Sequence, residues 1–140
     1  MTDIALTAAQ IAPVFPKEAE IYAFEAAATI AAGDAVYLNS SGKVDLADAN
    51  GSGTLQFRGI ALNGGAAGQT IDVLKKGHVY GYTVASVAYD APLYLSDTAG
   101  SIADGAGSTS INVGRVVPLN NTGTLTKVVY IEADWLRVWA

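Results

Sequence analysis

Cysteine is absent from this 140-residue chain, and histidine occurs once, as His78. Without thiols neither a disulfide framework nor a cysteine-ligated zinc site can form, so burial and backbone hydrogen bonds have to hold the fold. A lone histidine and no thiol also leave little for acid–base or nucleophilic chemistry, and neither a catalytic residue nor a cofactor is expected. Charge is sparse: charged residues make up 15%, and the net charge is −5. The few cations form no stripe, so a phosphate backbone would be repelled and nucleic acid is not an expected partner. No apolar run approaches the roughly 20 residues of a membrane helix. The opening Met1-Thr2-Asp3-Ile4 lacks the positive start of a secretory signal, and Pro13 and Pro16 interrupt the one stretch that could imitate its apolar centre. The expectation is a chain made in the cytoplasm and kept soluble, without a membrane partner.

Small residues are abundant instead. The hydrophobic fraction is 51%, much of it alanine and valine, and there are 15 glycines. A chain of this length buries roughly 68% of its unfolded surface as one domain and needs no staple. Residues 1–20 stand apart from the remainder: they are Ala-rich, carry Ala12-Pro13-Val14-Phe15-Pro16-Lys17, and show neither strand alternation nor a strong helical period. Two prolines so close favour an extended arm. Its apolar residues Ile4, Leu6, Ile11, Val14 and Phe15 are too few for a core, so the arm is expected to stay mobile until it docks on a neighbouring subunit or another protein, by strand addition. Packing as an edge strand on its own domain is the alternative.

From residue 21 to 140 the chain reads as a single β domain, with short β-type runs divided by glycine and Asn/Asp/Ser clusters. Strands are expected at 21–29, 35–39, 43–47, 56–62, 70–75, 78–85, 92–96, 100–103, 111–118 and 126–133. Asn39-Ser40-Ser41-Gly42 and Ser96-Asp97-Thr98-Ala99-Gly100 supply hairpin turns. A further turn is expected at Lys75-Lys76-Gly77-His78, after which His78, Tyr80, Tyr82 and Val84 would share one face.

An internal near-repeat is the most informative feature. Gly33-Asp34-Ala35-Val36-Tyr37-Leu38, a turn ending at Gly42, and Lys43-Val44 match Tyr89-Asp90-Ala91-Pro92-Leu93-Tyr94-Leu95, a turn ending at Gly100, and Ser101-Ile102. Arg58-Gly59-Ile60-Ala61 then matches Val113-Gly114-Arg115-Val116, and Gln69-Thr70-Ile71-Asp72-Val73 matches Thr124-Leu125-Thr126-Lys127-Val128-Val129. Pseudo-repeats of about 33–75 and 89–131 are too few for a solenoid. The expected fold is all-β: a compact β-barrel or β-sandwich with an internal pseudo-repeat, plus an extended N-terminal arm.

Candidate chemistry is thin. His78 beside a turn reads as a solvated side chain. The groupings Glu18/Glu20/Glu25 and Asp45/Asp48 have no acid–base spacing. Asp48, Asn50, Ser52 and the Gly53 turn imitate half of a calcium loop, but Gly59 stands where the bidentate acid belongs, so no metal site is expected. Gly51-Ser52-Gly53 and Gly105-Ala106-Gly107 lack the residues of a phosphate-cradling loop. Lys75 and Lys76 would keep a turn solvated or meet an acidic partner. Trp135 and Trp139, four apart, either anchor an interface or fold back on the domain.

Ala32-Gly33-Asp34-Ala35-Val36-Tyr37-Leu38 with its following Gly42-Lys43-Val44, Gly59-Ile60-Ala61, Ala66-Ala67-Gly68-Gln69-Thr70-Ile71-Asp72-Val73-Leu74 and Asp90-Ala91-Pro92-Leu93-Tyr94-Leu95 make the chain resemble the phage capsid decoration proteins, also called cement or head-stabilising proteins. The resemblance spans about residues 32–131. It implies a β-barrel-like domain that forms a homotrimer on the virion surface and locks neighbouring copies of the major capsid protein together without catalysis. On that reading Ile4, Leu6, Ile11, Val14, Phe15, Trp135 and Trp139 are the candidate capsid or subunit contacts. A phage tail or fibre β-domain is the alternative, as is a carbohydrate-binding module stacking sugars on Tyr80, Tyr82, Trp135 or Trp139.

Overall fold

The computed structural model describes residues 2–51 and 53–139. Within them run ten strands, β1 (Ala12–Pro13), β2 (Glu20–Glu25), β3 (Ala35–Leu38), β4 (Val44–Leu46), β5 (Phe57–Ala61), β6 (Thr70–Tyr80), β7 (Pro92–Leu95), β8 (Ile102–Ala103), β9 (Asn112–Asn121) and β10 (Thr124–Glu132), after one 3-10 turn at Ala8–Gln10. The protein is all-β, and among the described residues no helix is long and apolar enough to cross a membrane. The strands form one curled antiparallel sheet whose main path is β4-β3-β5-β6-β10-β9-β7-β8, with β1 and β2 also on β6.

That order is the same from both ends, and the registers agree residue by residue. Val36 faces Gly59 and Tyr37 faces Phe57 across a bulge; Leu93 faces Gly114 and Tyr94 faces Asn112 across the same bulge. Asn39 N–H donates to the Lys43 carbonyl as Ser96 N–H donates to that of Ser101. Inside each turn the side-chain oxygen of Asn39 or Ser96 accepts the amide two residues on. Gly33 and Asp90 are both left-handed, with φ of 94° and 64°. Both donate their amides at 2.7 Å to equivalent carbonyls, Ala61 and Val116.

The expected turn at Lys75–His78 is not there. β6 runs through it as one strand, paired on both edges, and Gly77 takes a φ of 147° that glycine adopts readily and other residues do not. One strand thereby serves both halves. Its first part lies between β2 and β5; its last part lies between β1 and β10. Ile21 and Tyr22 face Leu74 and Val73 just as His78 and Val79 face Tyr130 and Val129, so the end of β6 is the counterpart of β2. Each unit therefore begins earlier than the repeated words: one with β2, the other midway along β6.

Two apolar clusters fill the molecule. Val36, Val44, Ala61, Ile71 and Val73 form the smaller, inside the first unit, where Val44 meets Ala26 in a lone parallel bridge that curls the sheet toward closure. Their neighbours Ala35, Ile60 and Leu74 join the larger cluster with Leu93, Ile102, Val116, Val129 and Ile131. Tyr82 and Val84 belong to it as well. The expected face shared with His78 and Tyr80 thus breaks at Gly81, whose φ is 106°.

The expectation of a mobile arm is also corrected. Asp3 bridges to Ala103 and Leu6 to Tyr82, while Ala12 and Pro13 pair with Tyr80 and Val79. Ile4 and Ile11 are 8% and 7% exposed within the larger cluster. Burying two isoleucines offsets much of the cost of ordering this segment, which the second unit uses as an extra edge.

Candidate protein-binding surface

The two core positions Ile4 and Ile11 cannot be surface contacts in this fold, and Leu6 is half-buried against the same cluster. Val14 is half-buried and Phe15 exposed, next to the point where Val14 N–H donates to the His78 carbonyl. Phe15 meets the His78 ring edge-on at 5.2 Å, and His78 meets Tyr130 at 5.1 Å. His78 is thus part of an aromatic row on the outer face of β6 and β10. Tyr130 donates to Glu132 Oε1 at 2.8 Å. Its phenol is pushed up to about 12 by partial burial and by that carboxylate.

Both tryptophans fold back onto the domain. Trp135 donates its indole N–H to the Arg58 carbonyl at 2.8 Å. Its ring packs on Tyr22 at 5.0 Å, with the Arg58 guanidinium at 4.4 Å and Lys75 Nζ at 4.8 Å. The Trp139 carbonyl accepts from Gln56 Nε2 at 3.1 Å, and Arg137 lies 4.2 Å from its ring. Just before the first anchor, Asp134 Oδ1 accepts the amides of Leu136 and Arg137, bending the tail; Leu136 and Val138 are 93% and 82% exposed. A cleft of about 320 Å³ lies alongside, lined by Arg115, Tyr130, Glu132, Asp134, Arg137 and Trp139 among others.

Apolar exposure continues on β2, where Ile21 and Tyr22 are 38% and 43% exposed. Sequence reasoning missed Ile21, Tyr22, Leu136 and Val138. For the last two the signal was only their place between Trp135 and Trp139, since the tail forms no strand and Arg137 is exposed with them.

Of the sugar-stacking candidates, Tyr82 is buried, with its hydroxyl donating to the Gly33 carbonyl at 2.6 Å, so it has no face to offer. Burial, with Asp34 nearby, pushes its phenol far above the ordinary range. The Asp48 carboxylate holds its own loop, accepting from Gly51 N–H and Thr54 Oγ1; Ser52 lies outside the described residues. Compared with known proteins, the chain matches no family model and no curated sequence.

Proposed function

We propose that this protein is a non-enzymatic virion component that decorates an assembled phage capsid, as a homotrimer that binds the major capsid protein. The observation that carries the proposal is the tail between Trp135 and Trp139. The Trp135 indole on the Arg58 carbonyl and the Trp139 main-chain carbonyl on Gln56 hold the tail at both ends, with Leu136 and Val138 in solvent at 93% and 82% exposure. A held apolar pair gains about 1.5–3 kcal/mol per side chain on full burial and loses little further entropy. The outward Phe15, Tyr22 and Tyr80 add aromatic surface of the kind enriched at protein interfaces.

The words that carry the resemblance support the reading in a second way. They build β3, β5, β6 and β7, the sheet that presents these surfaces. A cement protein needs a rigid body with exposed attachment points. Co-sedimentation with shells assembled from the major capsid protein tests the proposal: wild-type protein pellets with shells in saturable amount, and a Leu136→Asp/Val138→Asp variant of unchanged stability stays in the supernatant. Wild-type protein that remains in the supernatant with intact shells overturns it.

A further inference from the structure

We infer that the outer edge of β2 is a strand-docking site for an extended segment of a different polypeptide, occupied as the equivalent edge of β6 is already occupied within this chain. The inference takes the identity of that polypeptide from the capsid reading above; the edge itself rests on geometry alone. The end of β6 and β2 hold equivalent places: His78 faces Tyr130 as Ile21 faces Leu74. On the free side of β6 lie Ala12–Val14, antiparallel, with Val14 N–H donating to the His78 carbonyl at 2.9 Å. Among the described residues β2 itself pairs with β6 alone, and only past its Glu25 end does β4 come alongside, through the Ala26–Val44 bridge and Ala27 N–H on the Val44 carbonyl, so the free stretch of the edge is Ile21–Ala23.

Backbone parity identifies the groups on offer. Ala26 N–H donates to Gln69, so the even residues Tyr22 and Phe24 turn their amides and carbonyls toward β6. Those of Ile21, Ala23 and Glu25 point away from it. The Ile21 carbonyl is therefore the counterpart of the His78 carbonyl that Val14 satisfies. Edge strands are ordinarily guarded by charge, proline or a covering loop. In β2 the charges stand only at the ends, where Glu20 pairs with Lys75 and Glu25 with Lys43; Ile21-Tyr22-Ala23-Phe24 carries none. The Lys75 and Lys43 pairs leave the middle of the edge approachable, and the exposed Ile21 side chain gives an incoming strand an apolar contact.

The occupant is a segment of another protein rather than the arm of a second copy, because in each copy that arm is already committed to β6. Residues 11–14 are seated on β6, with Ile11 7% exposed in the core, and releasing them would open the second unit. The segment that fits is extended, antiparallel to β2 and apolar at alternate positions, as Ile11-Ala12-Pro13-Val14-Phe15 is.

A synthetic peptide copying residues 10–16 serves as the probe on the full-length protein, followed by amide hydrogen exchange and NMR shifts. Slowed exchange and shifted resonances at Ile21 and Ala23 are expected. Binding should weaken roughly tenfold in Ala23→Pro, which removes an outward amide without breaking the β6 ladder. Should that variant lose its fold, Ile21→Lys provides the same comparison by placing a charge on the exposed face. Protection confined to His78–Tyr80, no protection at β2, or equal binding by the folded variant overturns the inference. Shell co-sedimentation separates it from the capsid reading. Wild-type protein that ignores shells while the peptide still protects β2 sinks only that reading, and a folded β2-edge variant that pellets with shells as wild type does sinks only the edge.

Discussion

Gly59 and Gly114 stand at the same point of the two sheet halves, each against a backbone carbonyl of the next strand. A Cβ added to Gly59 would fall on the oxygen of Leu74, and one added to Gly114 on that of Tyr130. Leu74 and Tyr130 are equivalent residues in turn, facing Ile60 and Arg115. Backbone cannot yield as a flexible side chain can. Gly59→Ala and Gly114→Ala should each cost about 2–4 kcal/mol in urea unfolding, whereas Gly53→Ala, whose Cβ meets nothing, should stay near wild type. Unchanged midpoints for the first two would show that the strands do not approach as described.

The hydroxyl of Tyr82 is the buried link between the segment after β6 and Gly33 at the head of β3. Tyr82→Phe keeps the ring and orphans the Gly33 carbonyl, so about 1–3 kcal/mol should be lost. Thermal unfolding of the purified variant measures it, and a melting temperature equal to wild type would mean that water reaches that carbonyl.

Asp34 titrates above its ordinary 3.8, because burial disfavours the carboxylate more than the Ala31 amide supports it. The folded protein therefore holds this proton more tightly than the unfolded chain does. Its ionisation lowers stability as the pH rises from 3.8 through the raised folded value. Asn keeps an oxygen for the Ala31 amide and has no charge. The stability of Asp34→Asn relative to wild type should thus improve as the pH goes from about 3 to about 7. A difference that is flat or of opposite slope would contradict the sign.

Removing residues 2–11 takes Ile4 and Ile11 out of the core and leaves the edges at Ala103 and Tyr82 unpaired. At about 1.5–3 kcal/mol per isoleucine, the loss should be about 3–6 kcal/mol. A truncated protein melting with the full chain would restore the mobile-arm expectation.

Much of the sheet was legible because turn chemistry is local. Asn39 and Ser96 each close a turn through their own side chains, and Gly59 and Gly114 mark close approaches that only glycine permits. Lys75-Lys76-Gly77 misled for the same reason: two cations and a glycine look like a turn, yet tertiary pairing on both edges holds them extended. The true start of each unit was invisible, since Ile21-Tyr22-Ala23-Phe24 and His78-Val79-Tyr80-Gly81 share a register and no residue. The arm's burial was hidden by the 3-10 turn at Ala8–Gln10, which separates Ile4 from Ile11 and breaks any alternation. Of the candidate contacts, the tryptophans were legible as an interface pair or a tail folded back; the structure takes the second course, and only the folded tail reveals Leu136 and Val138 between them.

Electron microscopy of bare phage capsids built from the major capsid protein that the proposal makes its partner, mixed with the purified protein, tests the capsid reading most directly. The account predicts regularly spaced added density on the outer surface, at a fixed number of copies per capsomer, and its loss in the Leu136→Asp/Val138→Asp variant. Capsids that remain bare at saturating concentrations of folded protein would contradict it.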